Sequence, residues 1–218
     1  MHTASIRGNA KMLRIGKVVC LARNYTEHIK ELGNATPEKP VLFIKPTSSI
    51  IGHQETVIIP DYSKICHHEV ELAVLIGKFG KKISVKEALN HVAGYGVGLD
   101  MTLRDVQNEL KQKGLPWEIA KGFDTSCPLS EFVPAGEVVD PHNLRISLKV
   151  NDQLRQDGST AQMMLKIPQI IQAVSEIFTL EEGDVILTGT PSGVGPVQSG
   201  DRIFAEIEQV GNLEIWVQ

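Results

Sequence analysis

Eight short runs with the character of β-strands dominate this sequence, and they constrain its fold more than any other feature. Several of them alternate apolar and polar residues with a period of two, which is typical of strands with one buried face. Helical segments are fewer and do not alternate with the strands as a parallel βαβ sheet requires. The sequence therefore predicts an α+β fold with a β-rich body. The eight runs are Leu13–Leu21, Val41–Lys45, Val57–Pro60, Val70–Ile76, Leu144–Val150, Asp184–Thr188, Arg202–Glu208 and Leu213–Val217.

Four segments carry signals for the start of a helix, which are a small polar capping residue or a proline suited to the first turn. Turn residues between alternating runs predict two β-hairpins, at Asn151-Asp152 and at Gly211-Asn212. The helices are predicted to start at Asn24, Ser84, Thr102 and Pro168, with Gly33 closing the first and Gly114 the third.

Charge and hydropathy exclude several classes of protein. The 22 Lys and Arg residues against 26 Asp and Glu residues leave a net charge of −4, which argues against nucleic acid as a partner. No apolar stretch approaches the roughly 20 residues that span a bilayer, so we expect no membrane partner. The first residues lack the apolar core of a secretory signal. Cys20, Cys66 and Cys127 show no C-x-x-C spacing, so a reducing, cytoplasmic location is expected.

Two acidic residues stand at the entrance of an apolar strand. Glu69 and Glu71 are two positions apart, so on a strand their side chains point to the same face. Their α-carbons would be roughly 6.5–7 Å apart, which lets both carboxylates converge on one cation. The alternative is a solvated face of an edge strand, which is the commoner origin of an isolated E-x-E pair.

A third carboxylate follows a glycine-rich segment. Asp100 ends the run Ala93–Leu99, whose three glycines allow a close approach of the backbone. As an alternative, Asp100 serves only as a residue before a helix. Three carboxylates would form an all-oxygen site that suits Mg²⁺ or Mn²⁺ better than Zn²⁺. The zinc motif H-E-x-x-H is absent, because position 72 is Leu.

Two further positions offer acid–base or cationic groups. His28 and Glu31 are three residues apart on the first predicted helix, where the carboxylate could orient the imidazole as a general base. A histidine packed in the core is the alternative. Lys121 lies between apolar neighbours and could stabilise an oxyanion, although most lysines are surface residues.

Motifs of three common enzyme classes are missing. The loop Thr188–Pro196 lacks the Gly-Lys-Ser/Thr ending of a P-loop, and it is either a ligand-binding loop or a rigid turn. Neither G-x-S-x-G nor a dinucleotide-binding G-x-G-x-x-G after a strand occurs, so the serine-hydrolase and Rossmann interpretations lose support.

Five segments in order resemble the fumarylacetoacetate hydrolase superfamily, and within it the short, single-domain acylpyruvate hydrolase and oxaloacetate decarboxylase branch. The resemblance runs from about Lys17 to the C-terminus. Residues 17–218 are accordingly predicted to be a single catalytic domain, preceded by a loose N-terminal arm over residues 1–16. The five segments are Arg23-Asn24-Tyr25 with His28 and Glu31, Pro40–Pro46, His67–Leu72, Leu99–Gln107 and Leu187–Gly195.

This resemblance implies a rolled, mixed β-structure, usually assembled as a homodimer. It implies a metal site for Mg²⁺ or Mn²⁺, a dyad that activates water, a lysine that assists at the oxyanion, and three side chains that hold the substrate. The residues so assigned are Glu69, Glu71 and Asp100 for the metal, His28 and Glu31 for the dyad, Lys121 for the oxyanion, and Arg104, Gln107 and Thr190 for the substrate.

The expected activity is hydrolysis of a C–C bond in acylpyruvates or other 2,4-diketo acids, together with decarboxylation of oxaloacetate. A small 2-keto acid that chelates the cation would lose electron density from its carbonyl in either reaction. One alternative is a keto–enol tautomerase or double-bond isomerase on the same metal site, such as an oxaloacetate tautomerase or a 2-hydroxymuconate-type isomerase. The other is a metal-binding or interaction module without catalysis.

Overall fold

The computed structural model describes residues 2–33 and 35–218, and this part of the chain contains 18 strands and four α-helices. The strands are β1 Thr3–Ala4, β2 Leu13–Arg14, β3 Val18–Ala22, β4 Val41–Lys45, β5 Ile50–Ile51, β6 Thr56–Val57, β7 Cys66–His68, β8 Val70–Ile76, β9 Val92–Leu99, β10 Thr102–Leu103, β11 Cys127–Pro128, β12 Val133–Pro134, β13 Arg145–Val150, β14 Gln153–Ser159, β15 Val185–Leu187, β16 Gly195–Val197, β17 Arg202–Ile207 and β18 Gly211–Val217. The helices are α1 Thr26–Glu31, α2 Arg104–Lys113, α3 Glu118–Lys121 and α4 Ile167–Ile177.

The largest sheet has six strands in the order β12-β9-β8-β15-β3-β4. Strand β8 is buried along its whole length, because core side chains cover both of its faces. Leu72 and Val74 pack into the larger of two apolar clusters, whereas Ala73 and Leu75 pack into the smaller one. Successive side chains of a strand point to opposite faces, so burial on both sides requires the continuous apolar run that this segment has.

A second sheet of five strands, in the order β14-β13-β17-β18-β6, packs against the larger cluster. Its edge hairpin joins β13 to β14 through Asn151 and Asp152, whose φ angles of 49° and 65° are both positive. Two positive φ angles are the requirement of a type I′ turn, which matches the twist of the flanking strands. The first predicted hairpin is therefore confirmed.

Parallel and antiparallel neighbours occur within the same sheet. Strand β15 lies parallel to β3 and antiparallel to β8. Together with the few short helices, this mixture confirms the α+β prediction. Across residues 2–33 and 35–218, no helix combines the length and the apolar character needed to cross a bilayer.

The predicted N-cap of the first helix is wrong, because the side chain of Asn24 has distant partners. Helix α1 begins at Thr26, and Asn24 does not cap it. The Asn24 side chain instead bonds Leu165 and the carbonyl of Thr188. Gly33 follows the helix with a φ of 62°, as predicted.

Two other helix starts also differ from the prediction. The capping box at Ser84 leads only to a 3₁₀ turn over Ala88–His91. Thr102 belongs to strand β10 and α2 starts at Arg104, although Gly114 ends this helix in the left-handed conformation as predicted. Helix α4 carries its proline in the first turn, also as predicted.

The N-terminal segment is an ordered hairpin, so the prediction of a loose arm is wrong. Strands β1 and β2 pair antiparallel, and Ile6 forms a parallel bridge with Phe132. Ala4 and Leu13 are buried in the smaller cluster. Apolar contacts with distant residues thus order a segment whose local pattern is weak. The division of the chain at residue 16 stays a prediction, and Met1 lies outside the described residues.

The second predicted hairpin turn is also displaced. Gly211 is the first residue of β18, and the turn occupies residues 208–210 just before it. Ile207 pairs with Gly211, so the β17–β18 hairpin closes before the predicted turn residues Gly211-Asn212.

Candidate active site

Three carboxylates meet where β8 begins and β9 ends. Val70 lies opposite Leu99 in this antiparallel pair, so the residue before β8 and the residue after β9 are neighbours. These residues are Glu69 and Asp100, and the amide of Asp100 donates to the carbonyl of Glu69 at 2.9 Å. Glu71 is the second residue of β8. One carboxylate oxygen from each of the three lies within 4.8 Å of the others.

A buried lysine compensates part of this negative charge. The three carboxylic residues are only 2–4% exposed, and Lys121 at the end of α3 is 3% exposed. Its Nζ donates to Glu69 Oε2 at 2.9 Å, to Asp100 Oδ2 at 2.5 Å and to Thr102 Oγ1 at 2.6 Å. Buried charges are stable only when they are paired and hydrogen-bonded, and these contacts supply both.

A second buried lysine was not singled out in the sequence. Lys45 is fully buried at the end of β4, and its Nζ lies 2.9 Å from Asp100 Oδ1. It donates to the carbonyl and hydroxyl oxygens of Ser126 at 3.0 and 3.1 Å, and to the carbonyl of Lys121. The available signal was its position as the last residue of a strand that was otherwise predicted to be apolar.

Arg104 holds Glu69 from the side opposite Lys121, through the other carboxylate oxygen. Its guanidinium pairs with Glu69 Oε1 and donates to Gln107 Oε1 at 2.5 Å. Arg104 and Gln107 are three residues apart in α2, so they share one face of the helix. These two predicted substrate-binding residues therefore line the site together, and Arg104 fixes the orientation of a carboxylate.

The acidic groups differ in the protonation that their surroundings favour. Burial alone would raise the pKa of Glu69, but the charges of Lys121 and Arg104 outweigh burial and hold this pKa well below its usual range. Burial and the neighbouring carboxylates of Asp100 and Glu69 raise the pKa of Glu71 well above its usual range. Additional positive charge beside Glu71 would therefore favour the ionised form of its carboxyl group.

One carboxylate oxygen of the cluster, Asp100 Oδ1, is buried without a hydrogen bond from the described residues. Lys45 is close to Asp100 Oδ1 but is not aligned as a donor, so this buried oxygen accepts no hydrogen bond from the described residues. A cation would satisfy such an oxygen. Within residues 2–33 and 35–218, the candidate ligand group consists of three convergent carboxylates without sulfur or imidazole, which suits a hard divalent cation such as Mg²⁺ or Mn²⁺. The donor set therefore fits the predicted metal.

The loop after β15 supplies a backbone donor to the cluster. The amide of Gly189 donates to Glu71 Oε2 at 2.6 Å. Gly189 has a φ of 95°, and a Cβ at this position would lie 2.8 Å from Asn24 Cβ. Both the backbone conformation and the close approach thus require glycine here.

We expect Gly189→Ala to lower the free energy of unfolding by about 2–4 kcal/mol, because left-handed strain and a steric clash add. Gly200→Ala is the matched control, since Gly200 has a similar φ of 93° with no atom within 4 Å of an added Cβ. The control should lose only about 1–2 kcal/mol. Urea unfolding of both variants, with a chelator present, measures the difference. Equal losses would show that the contact with Asn24 is unimportant.

The predicted His–Glu pair forms on α1 and reaches the same cavity. His28 is 6% exposed, and its Nδ1 lies 3.2 Å from Glu31 Oε2. The other oxygen of Glu31 accepts from the amide of Gly193 at 2.9 Å, which fixes the carboxylate. A carboxylate only accepts hydrogen bonds, so Nδ1 carries the proton and Nε2 remains available as a base.

Thr190 is held by a buried network that sequence reasoning missed. Gln156 is fully buried on β14, and its Nε2 donates to Thr190 Oγ1 at 2.8 Å. The Gln156 Oε1 accepts from the amide of Val70 at 3.1 Å and contacts His68 Nδ1 at 3.0 Å. This glutamine therefore joins the start of β8 to the loop that carries Thr190. A buried Gln has no signature in a sequence that alternates polar and apolar residues.

One cavity gathers the predicted site residues with several that were not predicted. The residues lining it include the three carboxylates, His28, Lys121, Arg104, Gln107 and Thr190, together with Arg23, Lys111 and Trp117. Glu31 stands behind His28. The Nδ1 of His68 contacts Gln156, and His68 is not part of the metal-ligand group found among the described residues.

Comparisons with known proteins agree with this architecture. The family model described as fumarylacetoacetate (FAA) hydrolase C-terminal matches residues 17–218. Oxaloacetate tautomerase FAHD1, mitochondrial, from Mus musculus is 50% identical over 216 residues, which cover 99% of this chain and 98% of that protein. Oxaloacetate tautomerase YcgM from Escherichia coli (strain K12) is 53% identical over 190 residues, or 87% of each chain.

A solved structure extends the likeness to three dimensions. The crystal structure of fumarylpyruvate hydrolase from Pseudomonas aeruginosa, in complex with Mn²⁺ and pyruvate, matches with a TM-score of 0.95 at 36% identity, covering 99% of this chain and 95% of that one. This similarity confirms the predicted β-rich roll. The chain is therefore an enzyme that belongs to the fumarylacetoacetate hydrolase family.

Proposed function

We propose that this enzyme binds a small 2-keto acid at a divalent cation and catalyses its keto–enol tautomerisation, with oxaloacetate as the substrate. The observation that carries the proposal is one cavity lined by three buried carboxylates, a buried ammonium group and a histidine backed by glutamate. About 50% identity to oxaloacetate tautomerases over almost the whole chain supports the choice of reaction. The earlier expectation of C–C hydrolysis thereby becomes the second candidate.

The proposed ligands of the cation are Glu69, Glu71 and Asp100, and the proposed metal is Mg²⁺ or Mn²⁺. When bound, the cation would withdraw electron density from the ketone of a chelating 2-keto acid and acidify the adjacent C–H bond. The Mn²⁺ and pyruvate named for the similar fumarylpyruvate hydrolase support this assignment.

His28 moves the proton in this proposal. Its Nε2 accepts the proton from the carbon next to the ketone, and the resulting imidazolium gives a proton to the enolate oxygen to form the enol; the reverse sequence forms the ketone. Glu31 holds Nδ1 and stabilises the imidazolium. The amide of Gly193 keeps the Glu31 carboxylate in place, so the imidazole has one orientation. Because the imidazole is already oriented, no entropy is lost in orienting it when the proton is transferred.

Four side chains position the substrate and its developing charge. Lys121 places an ammonium group in the cavity, where it stabilises negative charge on the developing enolate oxygen. Gln107 and Thr190 offer polar groups to the carboxylate next to the ketone. Arg104 contributes mainly by orienting Glu69.

Hydrolysis of acylpyruvates is the second candidate, because the His28–Glu31 pair could equally direct water to a distal carbonyl. The products would then be pyruvate and a carboxylic acid. If the distal group is already a carboxylate, the same polarised ketone favours loss of CO₂. The likeness to fumarylpyruvate hydrolase supports this candidate at 36% identity.

A direct comparison of substrates tests the proposal. Mg²⁺-loaded enzyme should accelerate the conversion of enol-oxaloacetate to the keto form, followed by ultraviolet absorbance, well above the rate in buffer containing Mg²⁺ alone. Pyruvate release from acetylpyruvate and from oxaloacetate, measured with a coupled enzyme, reports hydrolysis and decarboxylation. Fast pyruvate release from acetylpyruvate without accelerated tautomerisation would replace the first candidate with the second.

Assembly and location are part of the same proposal. We expect a homodimer, which light scattering after size-exclusion chromatography tests. The cytoplasmic expectation is supported by Cys20, Cys66 and Cys127, all of which are buried free thiols. The name of the murine relative carries a mitochondrial location, which is the alternative compartment.

A further inference from the structure

The loop between β15 and β16 carries Thr190 to the lining of the cavity. It comprises residues 188–194, and we call it the Thr190 loop. Beside Thr190, the amide of Gly189 donates to Glu71 Oε2 at 2.6 Å, so the loop also holds a proposed metal ligand. The conformation of this loop therefore affects the metal-binding group and a proposed substrate contact together.

The Thr190 loop also supports the proposed base, and it packs closely on strand β14. The amide of Gly193 donates to Glu31 Oε1 at 2.9 Å. A Cβ added to Gly193 would lie 2.2 Å from the carbonyl oxygen of Arg155. A Cβ added to Gly158 would lie 2.7 Å from Pro191 Cβ. Because β14 and the loop are in such close contact, the loop has no room to move toward this strand.

One side chain of β14 enters this contact with all of its polar groups engaged. Gln156 is fully buried. Its Nε2 donates to Thr190 Oγ1 at 2.8 Å and to the carbonyl of Pro191 at 2.9 Å. Its Oε1 accepts from the amide of Val70 at 3.1 Å and lies 3.0 Å from His68 Nδ1. A side-chain amide has two donor hydrogens and two acceptor positions, so these four contacts use all of them.

Two backbone groups decide which way the amide of Gln156 is turned. The amide of Val70 can only donate, so the oxygen of Gln156 must face it. The carbonyl of Pro191 can only accept, so the nitrogen of Gln156 must face it. The same nitrogen then donates to Thr190 Oγ1, which acts as the acceptor. The proton of the Thr190 hydroxyl is thereby left for another partner.

We propose that Gln156 is a positioning residue that fixes the Thr190 hydroxyl as a hydrogen-bond donor to the carboxylate of a bound 2-keto acid. This inference rests on the proposed function, which assigns Thr190 to that carboxylate. Gln156 stands behind Thr190 and does not line the cavity, so it acts through Thr190. A hydroxyl that is already oriented as a donor loses little further rotational freedom when the anion binds.

Pyruvate is the binding probe, because it carries the 2-keto acid group and no second carboxylate. Gln156→Glu keeps the shape of the side chain but, when ionised, offers only acceptors, so that Thr190 donates to it and turns its proton away from the ligand. Calorimetric titration of the Mg²⁺-loaded enzyme should show pyruvate binding weakened roughly 10- to 100-fold, the range for a hydrogen bond to a charged group. Gln156→Met frees the hydroxyl without reversing it and should weaken binding less, by roughly 3- to 10-fold.

Gln153→Glu is the matched control, because it makes the same change at an exposed position of the same strand. Gln153 only accepts from Arg155, at 3.2 Å, and its replacement can still accept there. The control should bind pyruvate as the wild type does. A role of Gln156 in folding alone would predict the opposite ranking of its two variants, since Met differs more from Gln in shape and polarity than Glu does.

Steady-state kinetics separate binding from proton transfer. With oxaloacetate, Gln156→Glu should raise KM while kcat stays within about threefold, because a contact with the carboxylate stabilises the ground state and the transition state alike. The packing of Gly158 and Gly193 against their neighbours is unchanged in this variant, so the contact with Glu31 is kept. A loss confined to kcat would contradict the proposal.

A double-mutant cycle shows whether the effect passes through Thr190. Thr190→Val removes the hydroxyl and should weaken pyruvate binding roughly 10- to 100-fold. Adding Gln156→Glu or Gln156→Met to Thr190→Val should then change Kd by less than about twofold, because the group through which Gln156 acts is gone. Losses that multiply would show independent effects and overturn the proposal.

The wild type provides a test that needs no variant and decides the matter if the Gln156 variants do not fold. In a crystal structure with Mn²⁺ and pyruvate, Thr190 Oγ1 should lie within about 3.2 Å of a carboxylate oxygen of pyruvate, with its contact to Gln156 retained. A separation above about 3.5 Å would refute the proposal, as would unchanged pyruvate binding in both Gln156 variants. If the Mg²⁺-loaded wild type neither binds pyruvate nor tautomerises oxaloacetate, the proposed function itself is refuted.

Discussion

Replacing Asp100 with asparagine should lower turnover by roughly 10³-fold or more, because loss of one proposed hard ligand would remove the cation that is proposed to polarise the ketone. The substitution preserves the size of the side chain, and its remaining oxygen can still accept from Lys121. Glu69→Gln should have a similar effect through the same site. Tautomerisation of enol-oxaloacetate at saturating Mg²⁺ is the measurement.

Metal binding should also stabilise the native enzyme, which offers a readout independent of turnover. At a Mg²⁺ concentration about 100 times Kd, the melting temperature of the wild type should rise by roughly 5–10 °C. Asp100→Asn should lose this rise, and EDTA should remove it reversibly from the wild type. Asp157→Asn, at an exposed pair with Arg145, should keep both activity and the rise. Full turnover of chelated enzyme would contradict the metal assignment.

The second large effect concerns the base. His28→Ala should lower the rate of oxaloacetate tautomerisation by roughly 10²–10⁴-fold, the usual contribution of a positioned general base. We expect only a small change in the free energy of unfolding, because α1 is short and His28 lines the cavity. Solvent-deuterium exchange into oxaloacetate measures the proton transfer directly.

Two variants on the same helix distinguish catalysis from structure. Glu31→Gln should retain part of the activity, since an amide can still orient the imidazole but cannot stabilise its positive charge. Glu27→Gln is the control, because Glu27 is exposed and pairs with Lys30 at 2.7 Å. If His28→Ala lost acylpyruvate hydrolysis but kept deuterium exchange, His28 would be assigned to water activation and tautomerisation would need another base.

Local rules were sufficient for several elements of the fold. The strands Val41–Lys45 and Val70–Ile76 have the predicted bounds, and the hairpin at Asn151-Asp152 has the predicted turn. Alternation of side chains along a strand and the positive φ angles of a tight turn depend only on neighbouring residues. Such features can therefore be inferred without knowledge of the packing.

Helix starts and the N-terminal hairpin could not be predicted in the same way. Asn24 and Thr102 carry good capping side chains, but distant partners at Leu165 and Lys121 engage them. A side-chain oxygen that satisfies a buried partner elsewhere is not available to its own helix. The hairpin at residues 3–14 is similarly ordered by contacts with Phe132 that lie far along the chain.

The sequence by itself determined that Glu69 and Glu71 point to one face, because a period of two follows from the pleat of any strand. From the sequence, Asp100 was either a third ligand or a residue before a helix. The pairing of β8 with β9 brings its carboxylate next to those of Glu69 and Glu71. Only the tertiary structure placed Lys45 and Lys121 against these carboxylates. Buried charges must be balanced by whichever segments the fold brings within hydrogen-bond distance, and local periodicity carries no information about those segments.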